Sequence, residues 1–354
     1  MRVLITGNMG YIGPAVVRRL RESHSKVNLI GYDMGYFASC LTASAFLPEC
    51  RVDAQHFGDV RSINPAILDH IDAVVYLAAI SNDPMGATFE KVTWDVNCKA
   101  AVDLADNARE RGVRRFIFAS SCSVYGSAEE REKTEESALN PLTAYAQSKI
   151  GAEEQLSKLA DSRFGVTCLR FSTACGMSER LRLDLVLNDF VASALTTGRI
   201  TILSDGTPWR PLIHVLDMAR AIEWASGRTS QDGGEFLAIN VGSDEWNYQV
   251  RDLAEAVAQL VPGVQVEINR NAQPDKRSYR VSFEKFKRLA KSHQPQMDLR
   301  SAIEDLRQGL QRMNFRDPNF RQSHFMRLNM LKQLKQDGHL TEDLSWSGFT
   351  KSIL

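Results

Sequence analysis

The six cysteines, Cys40, Cys50, Cys98, Cys122, Cys168 and Cys175, include no Cys-x-x-Cys pair and have no companion histidine cluster. That absence argues against a zinc site and against a disulfide framework, so no metal is expected and a reducing cytoplasm is the expected setting. An excess of one charge is also lacking. Lys+Arg and Asp+Glu both number 43, so the whole-chain balance favours neither nucleic acid nor an anionic membrane. Any phosphate binding has to be local. Long apolar runs are missing too: Val3 to Thr6 is interrupted at once by Gly7 and Asn8, which excludes a signal-peptide core or a membrane span there. The fold is therefore expected to start with this first apolar run. No internal repeat or low-complexity tract is present. A chain of 354 residues, 44% hydrophobic and 24% charged, is expected to fold as one large domain carrying a smaller lobe.

What is present is an alternation. Val3-Leu4-Ile5 reads as a short buried strand, Tyr11 to Arg21 as a helix, and Val27 to Tyr32 as a second strand. The pattern continues with the strand Ala73 to Leu77, a helix from Val96 to Arg111, the strand Arg115 to Ala119, a helix from Ala144 to Leu159 and the strand Val166 to Phe171. Short apolar strands alternating with amphipathic helices imply an α/β fold, a doubly wound parallel-sheet Rossmann domain covered on both faces. After Gly176 the rhythm changes. Leu181 to Thr197 looks helical, Ile200 to Leu203 is a short strand, and Asp205 to Pro208 forms a turn. A smaller, interleaved α/β substrate lobe is expected here. The division places 1–174 in the cofactor domain with 213–241 returning to it, and 175–212 and 242–354 in the substrate lobe with its C-terminal helical tail. The tail carries Met326, Leu328, Met330, Leu331 and Leu334 at helical spacing, the pattern of a packing or oligomer helix.

Thr6-Gly7-Asn8-Met9-Gly10-Tyr11-Ile12-Gly13 lies between the first strand and the first helix, where backbone N–H groups can face a pyrophosphate. Gly7 permits the tight turn, Gly10 the close approach, and Gly13 the packing of helix on strand. A plain strand-to-helix turn would also accept three glycines. Asp33 is the second signal. It stands 20 residues beyond Gly13 at the end of the second strand, where a carboxylate accepts a hydrogen bond from the adenosine ribose and repels a 2′-phosphate. NAD is favoured over NADP. Asp59-Val60, after the third strand, is placed to hold the adenine edge, and Leu77-Ala78-Ala79 offers a floor of small residues beneath the cofactor.

Tyr145 and Lys149 stand four residues apart on the helix Ala144 to Leu159, so both can point into one cleft. A phenol has an ordinary pKa near 10, and a neighbouring Lys together with a cationic nicotinamide is expected to lower it toward use as a base. An exposed helix face is the alternative for this pair alone. Ser121, 24 residues upstream at the end of a strand, places its hydroxyl beside the same cleft. Ser121 is expected to share a proton with the substrate oxygen being oxidised or reduced while Tyr145 removes or supplies it.

Five motifs in order, TGNMGYIG, Asp59-Val60, LAAIS, SSCSVYG and YAQSK, resemble the extended short-chain dehydrogenase/reductase family, in the branch of nucleotide-sugar epimerases and dehydratases. The similarity runs from residue 1 to about residue 290. The resemblance implies Ser121, Tyr145 and Lys149 as catalytic residues. It adds Tyr11, Ile12, Asn97, Tyr145, Lys149 and Phe171 to the cofactor set. It also implies a substrate set of Ser81, Ser121, Ser123, Tyr145, Thr173, Asn188, Arg210 and Arg277, with Arg210 in WRPLIHV on a diphosphate. A planar guanidinium suits paired phosphate oxygens. Thr173 departs from an asparagine found in epimerases, and Arg270 competes with Arg277 for the role of second phosphate arginine. The segment Asp275 to Arg280 could equally be a solvated charged surface.

Sugar 4,6-dehydratases of this family carry an Asp-Glu pair where this chain has Cys122 and Ser123, which disfavours water loss. The expectation is an NAD-retaining epimerase of a nucleoside-diphosphate sugar, working at C4 through a 4-keto intermediate. A 4-keto reductase or a dehydratase of the same family is the enzymatic alternative, and a nucleotide-binding protein without turnover is the alternative of another class. A homodimer is expected.

Overall fold

The computed structural model describes residues 1–42, 46–126, 132–269, 272 and 278–348. Seven strands form one parallel sheet: β1 (Arg2–Thr6), β2 (Asn28–Asp33), β3 (Ala54–Phe57), β4 (Ala73–Tyr76), β5 (Arg115–Ser121), β6 (Gly165–Phe171) and, later in the chain, β10 (Phe236–Val241). The smaller sheets use β7 (Thr173–Cys175), β8 (Arg199–Ile202), β9 (Trp209–His214), β11 (Asn247–Gln249) and β12 (Gln265–Ile268). Eleven helices accompany them among the described residues: α1 (Gly13–Ser23), α2 (Asp83–Thr88), α3 (Glu90–Trp94), α4 (Ala100–Glu110), α5 (Ala144–Leu159), α6 (Val186–Thr197), α7 (Val215–Gly227), α8 (Val250–Leu260), α9 (Glu284–Leu289), α10 (Leu299–Arg312) and α11 (Arg327–Gln336).

The large sheet has the order β10-β6-β5-β4-β1-β2-β3 with every neighbouring pair parallel. Its central strands read as continuous apolar runs because both faces are covered. Leu4, Val74, Tyr76, Phe116 and Phe118 enter one layer; Val3, Ile5, Val75, Ile117 and Leu169 enter the other. Chain order reverses between β1 and β4, so a crevice opens at the carboxyl ends of these two strands. The doubly wound sheet is the α/β architecture expected from the alternation.

Val96 to Arg111 is not one helix. A π turn, Asp95–Lys99, separates α3 from α4, and such a turn inserts one extra residue into a helical run. The segment from Leu181 is irregular as far as Leu185, and α6 begins at Val186. After β9, α7 packs on the large sheet through Val215, Met218 and Ile222 before β10 joins its edge. A separate core gathers Leu187, Val191, Leu253, Val257, Ile303, Leu306 and Phe320.

The C-terminal helical tail, grouped by sequence with the substrate lobe and read as a packing or oligomer helix, packs on the cofactor domain. Leu331, Leu340 and Leu344 are fully or almost fully buried in the core beneath β1, β2 and β4, and Trp346 donates its indole N–H to the Met34 carbonyl at 2.8 Å. The apolar spacing of the tail is that of a helix packing within its own chain. Leu331→Ala should therefore destabilise the isolated monomer by about 2–5 kcal/mol, the usual cost of emptying a leucine site in a core. Denaturant unfolding at low protein concentration measures it, and a change below about 0.5 kcal/mol would mean that the tail does not belong to this core.

Candidate active site

One cavity of about 1130 Å³ follows the carboxyl edge of the sheet. It exceeds the ~300–1,000 Å³ usual for a single small ligand, and so has room for two. Gly7, Gly10, Tyr11, Ile12, Asp33, Asp59, Val60, Leu77, Ala78 and Ala79 line one part; Ser81, Ser121, Ser123, Tyr145, Lys149, Phe171, Thr173 and Arg210 line the rest. The structure thus brings together residues spread over some 200 positions of sequence.

The glycine loop fits a dinucleotide. Gly7 has φ of +75°, and a Cβ there would lie 2.5 Å from the Ala78 nitrogen, so only glycine lets β1 turn this close to β4. A Cβ on Gly10 would meet nothing within 4 Å except the Gly7 carbonyl, because that side of the loop faces the open cleft. Gly13 is off the cavity, packed so tightly that a Cβ would reach 2.0 Å from the Asn8 carbonyl oxygen. Asp33 accepts N–H bonds from Met9 at 3.0 Å and Gly35 at 2.7 Å, which aims its carboxylate between loop and cleft. Burial raises its pKa, opposed by these two bonds and by Arg180. Asp59 lines the cleft while its carboxylate holds Arg61 at 2.5 Å.

At the reacting end, Ser121 closes β5 and caps a short 3₁₀ turn, its hydroxyl oxygen accepting the Ser123 N–H at 3.1 Å. Its proton remains free to be donated. The Tyr145 phenol lines the same part of the cavity as that hydroxyl. Burial pushes the phenol up to about 12, while the Ser121 hydroxyl and the Arg182 charge act to lower it. Lys149 stands one turn on from the phenol along α5. Its Nζ donates to the Ala119 carbonyl at 2.7 Å, 5.7 Å from the centre of the Tyr145 ring, and burial drives its pKa down to about 7.

Two buried networks hold these side chains in place. Asn97, in the π turn, is fully buried: its Oδ1 accepts the Ile80 N–H at 2.9 Å, and its Nδ2 donates to the Ile80 carbonyl and to Ser148, whose hydroxyl donates to the Tyr145 carbonyl. Asn97 therefore ties the loop after β4 to the helix of Tyr145 and does not line the cavity. Beneath Lys149, Glu153 accepts the Ser120 hydroxyl and is gripped by Arg170, which also donates to Tyr125. At the start of α5, Thr143 caps the helix and donates to Asp83 at 2.7 Å.

Some expected residues sit elsewhere. Asn188 is fully buried, away from the cavity: it accepts the Gly176 N–H and donates to the Tyr11 hydroxyl and the Arg182 carbonyl. With its amide committed there, Asn188 braces the glycine loop against the segment 176–182. Arg270 and Arg277 lie outside the described residues. Cys122 is buried against the Arg170 carbonyl with its thiol pushed far up by burial, so it offers the cleft neither acid nor base. Ser123 reaches the cavity, and its buried hydroxyl has no partner.

Sequence reasoning missed Arg182. Only 8% exposed on the cavity wall, it donates to Ser81 at 2.8 Å and pairs with Asp184 at 2.6 Å, and Asp184 in turn accepts from Asn82. Nothing in the local pattern marks it, since its guanidinium's partner besides Asp184, Ser81, is about 100 residues away. Among the described residues, no group of three or more His, Cys, Asp or Glu could hold a metal ion, and no helix is long and apolar enough to cross a membrane.

Known proteins match this arrangement. The profile described as the NAD dependent epimerase/dehydratase family matches residues 3–242. A UDP-glucose 4-epimerase of Corynebacterium glutamicum is 27% identical, covering 86% of this chain and 94% of that protein, and one of Neisseria gonorrhoeae is 30% identical over 62% of this chain and 71% of that protein. Among solved structures, MoeE5 in complex with UDP-glucuronic acid and NAD superposes with a TM-score of 0.74 at 26% identity, covering 88% of this chain and 99% of that one.

Lys149 yields a test of this geometry. Its folded pKa of about 7 lies below the ordinary 10.5, so the unfolded chain binds more protons between those values, and the stability contributed by this group rises with pH across that window. The burden is full below about pH 7. Lys149→Met should thus raise the melting temperature of the cofactor-free protein at pH 7, by about 2–4 °C, with the gain shrinking toward pH 10. A lower melting temperature at pH 7 would show the lysine to be a stabilising group instead.

Proposed function

The chain belongs to the NAD dependent epimerase/dehydratase family, and on that premise we propose that it is an NAD-dependent nucleotide-sugar epimerase, inverting C4 of a UDP-sugar through a 4-keto intermediate. The observation that carries this reading is the Ser121–Tyr145 hydroxyl pair with Lys149, on the same cavity as Gly7, Gly10 and Asp33, with no carboxylate at positions 122 and 123. The UDP-sugar part is supported by the relatives named above.

When bound, NAD supplies the acceptor, and later the donor, of the hydride at the sugar carbon. Tyr145 removes the proton of the C4 hydroxyl as the C4–H bond gives up its hydride, and returns it when hydride comes back on the other face. The Ser121 proton is placed to bridge the phenol and the sugar oxygen, stabilising the charge shared between them. Lys149, 5.7 Å from the phenol ring, is positioned to turn from the Ala119 carbonyl to a ribose hydroxyl, where its charge would favour phenolate. Asp33, aimed at the cleft, would take the adenosine ribose. Arg210 would meet the sugar nucleotide's diphosphate.

Loss of water needs an acid and a base beside the phenol, and Cys122 and Ser123 supply neither, so the dehydratase reading is second. A 4-keto reductase would consume a reduced nucleotide, and Asp33 opposes the 2′-phosphate of NADPH. The cytoplasmic homodimer is part of the proposal: the six cysteines are free thiols, and Trp94, 44% exposed beside α5, offers an apolar contact to a second copy. So is the assignment of the segments around the third core to substrate binding.

The purified protein, incubated with a panel of UDP-sugars, should invert a sugar centre with no net consumption of nucleotide. Released water or stoichiometric NADPH use would overturn the reading. Tyr145→Phe should keep its bound NAD and lose turnover by about 100-fold or more; unchanged turnover would remove Tyr145 from its role.

A further inference from the structure

Between the lobe and the cofactor domain, the tail runs along the cavity wall. Met326, Arg327, Leu328 and Asn329 line it, and the chain then descends through α11 to Leu340 and Leu344. There it meets the loops that follow β2 and β3. Tyr36 donates to the Leu344 carbonyl, and Arg61 donates to the Asp343 carbonyl at 2.8 Å and to Ser345 at 3.1 Å. Asp33 ends the strand before the first of these loops, and Asp59 lies in the second. The tail is a strap across the dinucleotide end of the cleft, and it lies beyond residues 3–242, the span of the family match.

Arg327 sits at the crossing. It is 2% exposed, its guanidinium lies 4.2 Å from the centre of the Phe37 ring, and Nη2 donates to the Arg180 carbonyl at 3.1 Å. Nη1 has no hydrogen-bond partner. The carboxylate nearest in charge, Asp184, is already shared by Arg182 and Asn82, and the polar side chain within reach is the Cys40 thiol. A buried cation without an anion costs several kcal/mol, so one on a cavity wall is a favourable place for an anionic ligand. The guanidinium fork matches paired phosphate oxygens. Its support points to the same ligand: Arg180, whose carbonyl it holds, donates its N–H to Ser178, and Ser178 donates to the Tyr11 carbonyl of the glycine loop at 2.6 Å.

We infer that Arg327, carried in by the C-terminal tail, is a diphosphate-binding residue of this cleft, and that the tail thereby straps the ligand in place. The inference rests on the reading that the cavity takes NAD and a sugar nucleotide, both of which carry a diphosphate. The link through Ser178 to Tyr11 favours the dinucleotide.

The test uses the full chain stripped of nucleotide, as wild type and Arg327→Met. NAD and ADP-ribose should bind the variant about tenfold or more weakly. Adenosine, which lacks the diphosphate, should bind both proteins equally, and the nucleotide-free melting temperature should not fall. A loss of UDP affinity in the NAD-loaded variant, with NAD affinity intact, would assign the same contact to the sugar nucleotide's diphosphate. NAD and UDP affinities both within twofold of wild type overturn the inference, as does a loss of adenosine binding equal to that of NAD, which would mark a merely structural arginine. Should the methionine variant not fold, Arg327→Lys keeps the stem and charge but not the fork: weakening of about threefold or more is expected, and wild-type affinity overturns the inference. If the stripped wild type binds neither NAD nor UDP, the functional reading falls and this inference with it; if it binds both and the variants match it, this inference alone falls.

Discussion

A parallel sheet covered on both faces can present its polar chemistry at only one edge. In this chain that constraint governs nearly everything else. Because β1, β2, β4, β5 and β6 all run the same way, the glycine loop, Asp33, Leu77 to Ile80, Ser121 and Phe171 emerge side by side, although the chain between them is long. The reversal of order between β1 and β4 parts the loops and leaves a crevice where Gly7 nearly touches Ala78. No strand interior contributes a reacting group; each contributes the residue at or just past its end.

Precision at that edge comes from buried polar groups beneath it. Asn97 closes on the Ile80 backbone with both ends of its amide and reaches Tyr145 through Ser148, so the loop after β4 and the helix of the phenol move as one body. Glu153 and Arg170 do the same one layer lower, joining α5 to β5, β6 and, through Tyr125 and Asn240, to β10. A fully hydrogen-bonded buried network resists small shifts, which a site for hydride transfer needs. Lys149 is held more loosely: its Nζ donates to one acceptor, the Ala119 carbonyl, and lies 4.6 Å from the centre of the Phe118 ring.

What could be read from the sequence follows the range of the interactions. The glycine loop, Tyr145 with Lys149 and the helix Ala144 to Leu159 depend on neighbours within one or two turns, and their spacing alone exposes them. Ser121 was visible because it follows a strand of unmistakable pattern. Arg182 and Arg327 were not, because their partners at Ser81 and Arg180 are about 100 and 150 residues distant. Asn97 and Asn188 show a subtler limit: family likeness marked both positions, but only the fold shows that their amides are spent on protein partners. The π turn at Asp95–Lys99 likewise breaks what reads as one helix. The electrostatics were the least legible part, since the burial that raises the phenol's pKa, and the neighbours Ser121 and Arg182 that oppose it, come from packing between elements far apart in the chain.

The tail makes the two lobes interdependent. A domain that ended at residue 242 would contain the whole seven-stranded sheet, yet would leave the core beneath β1, β2 and β4 without Leu331, Leu340 and Leu344 and the Met34 carbonyl without Trp346. Three buried leucines are together worth about 5–8 kcal/mol of burial, comparable to the net stability of many domains. Folding of the cofactor domain is thus coupled to completion of the chain. The same tail begins in the third core, at Phe320 and Phe325, so one stretch of about 25 residues is anchored in both lobes and forms cavity wall between its anchors. Any change in the angle between the lobes must strain that stretch. The cavity wall formed by Met326 to Asn329 is thereby fixed relative to both anchors.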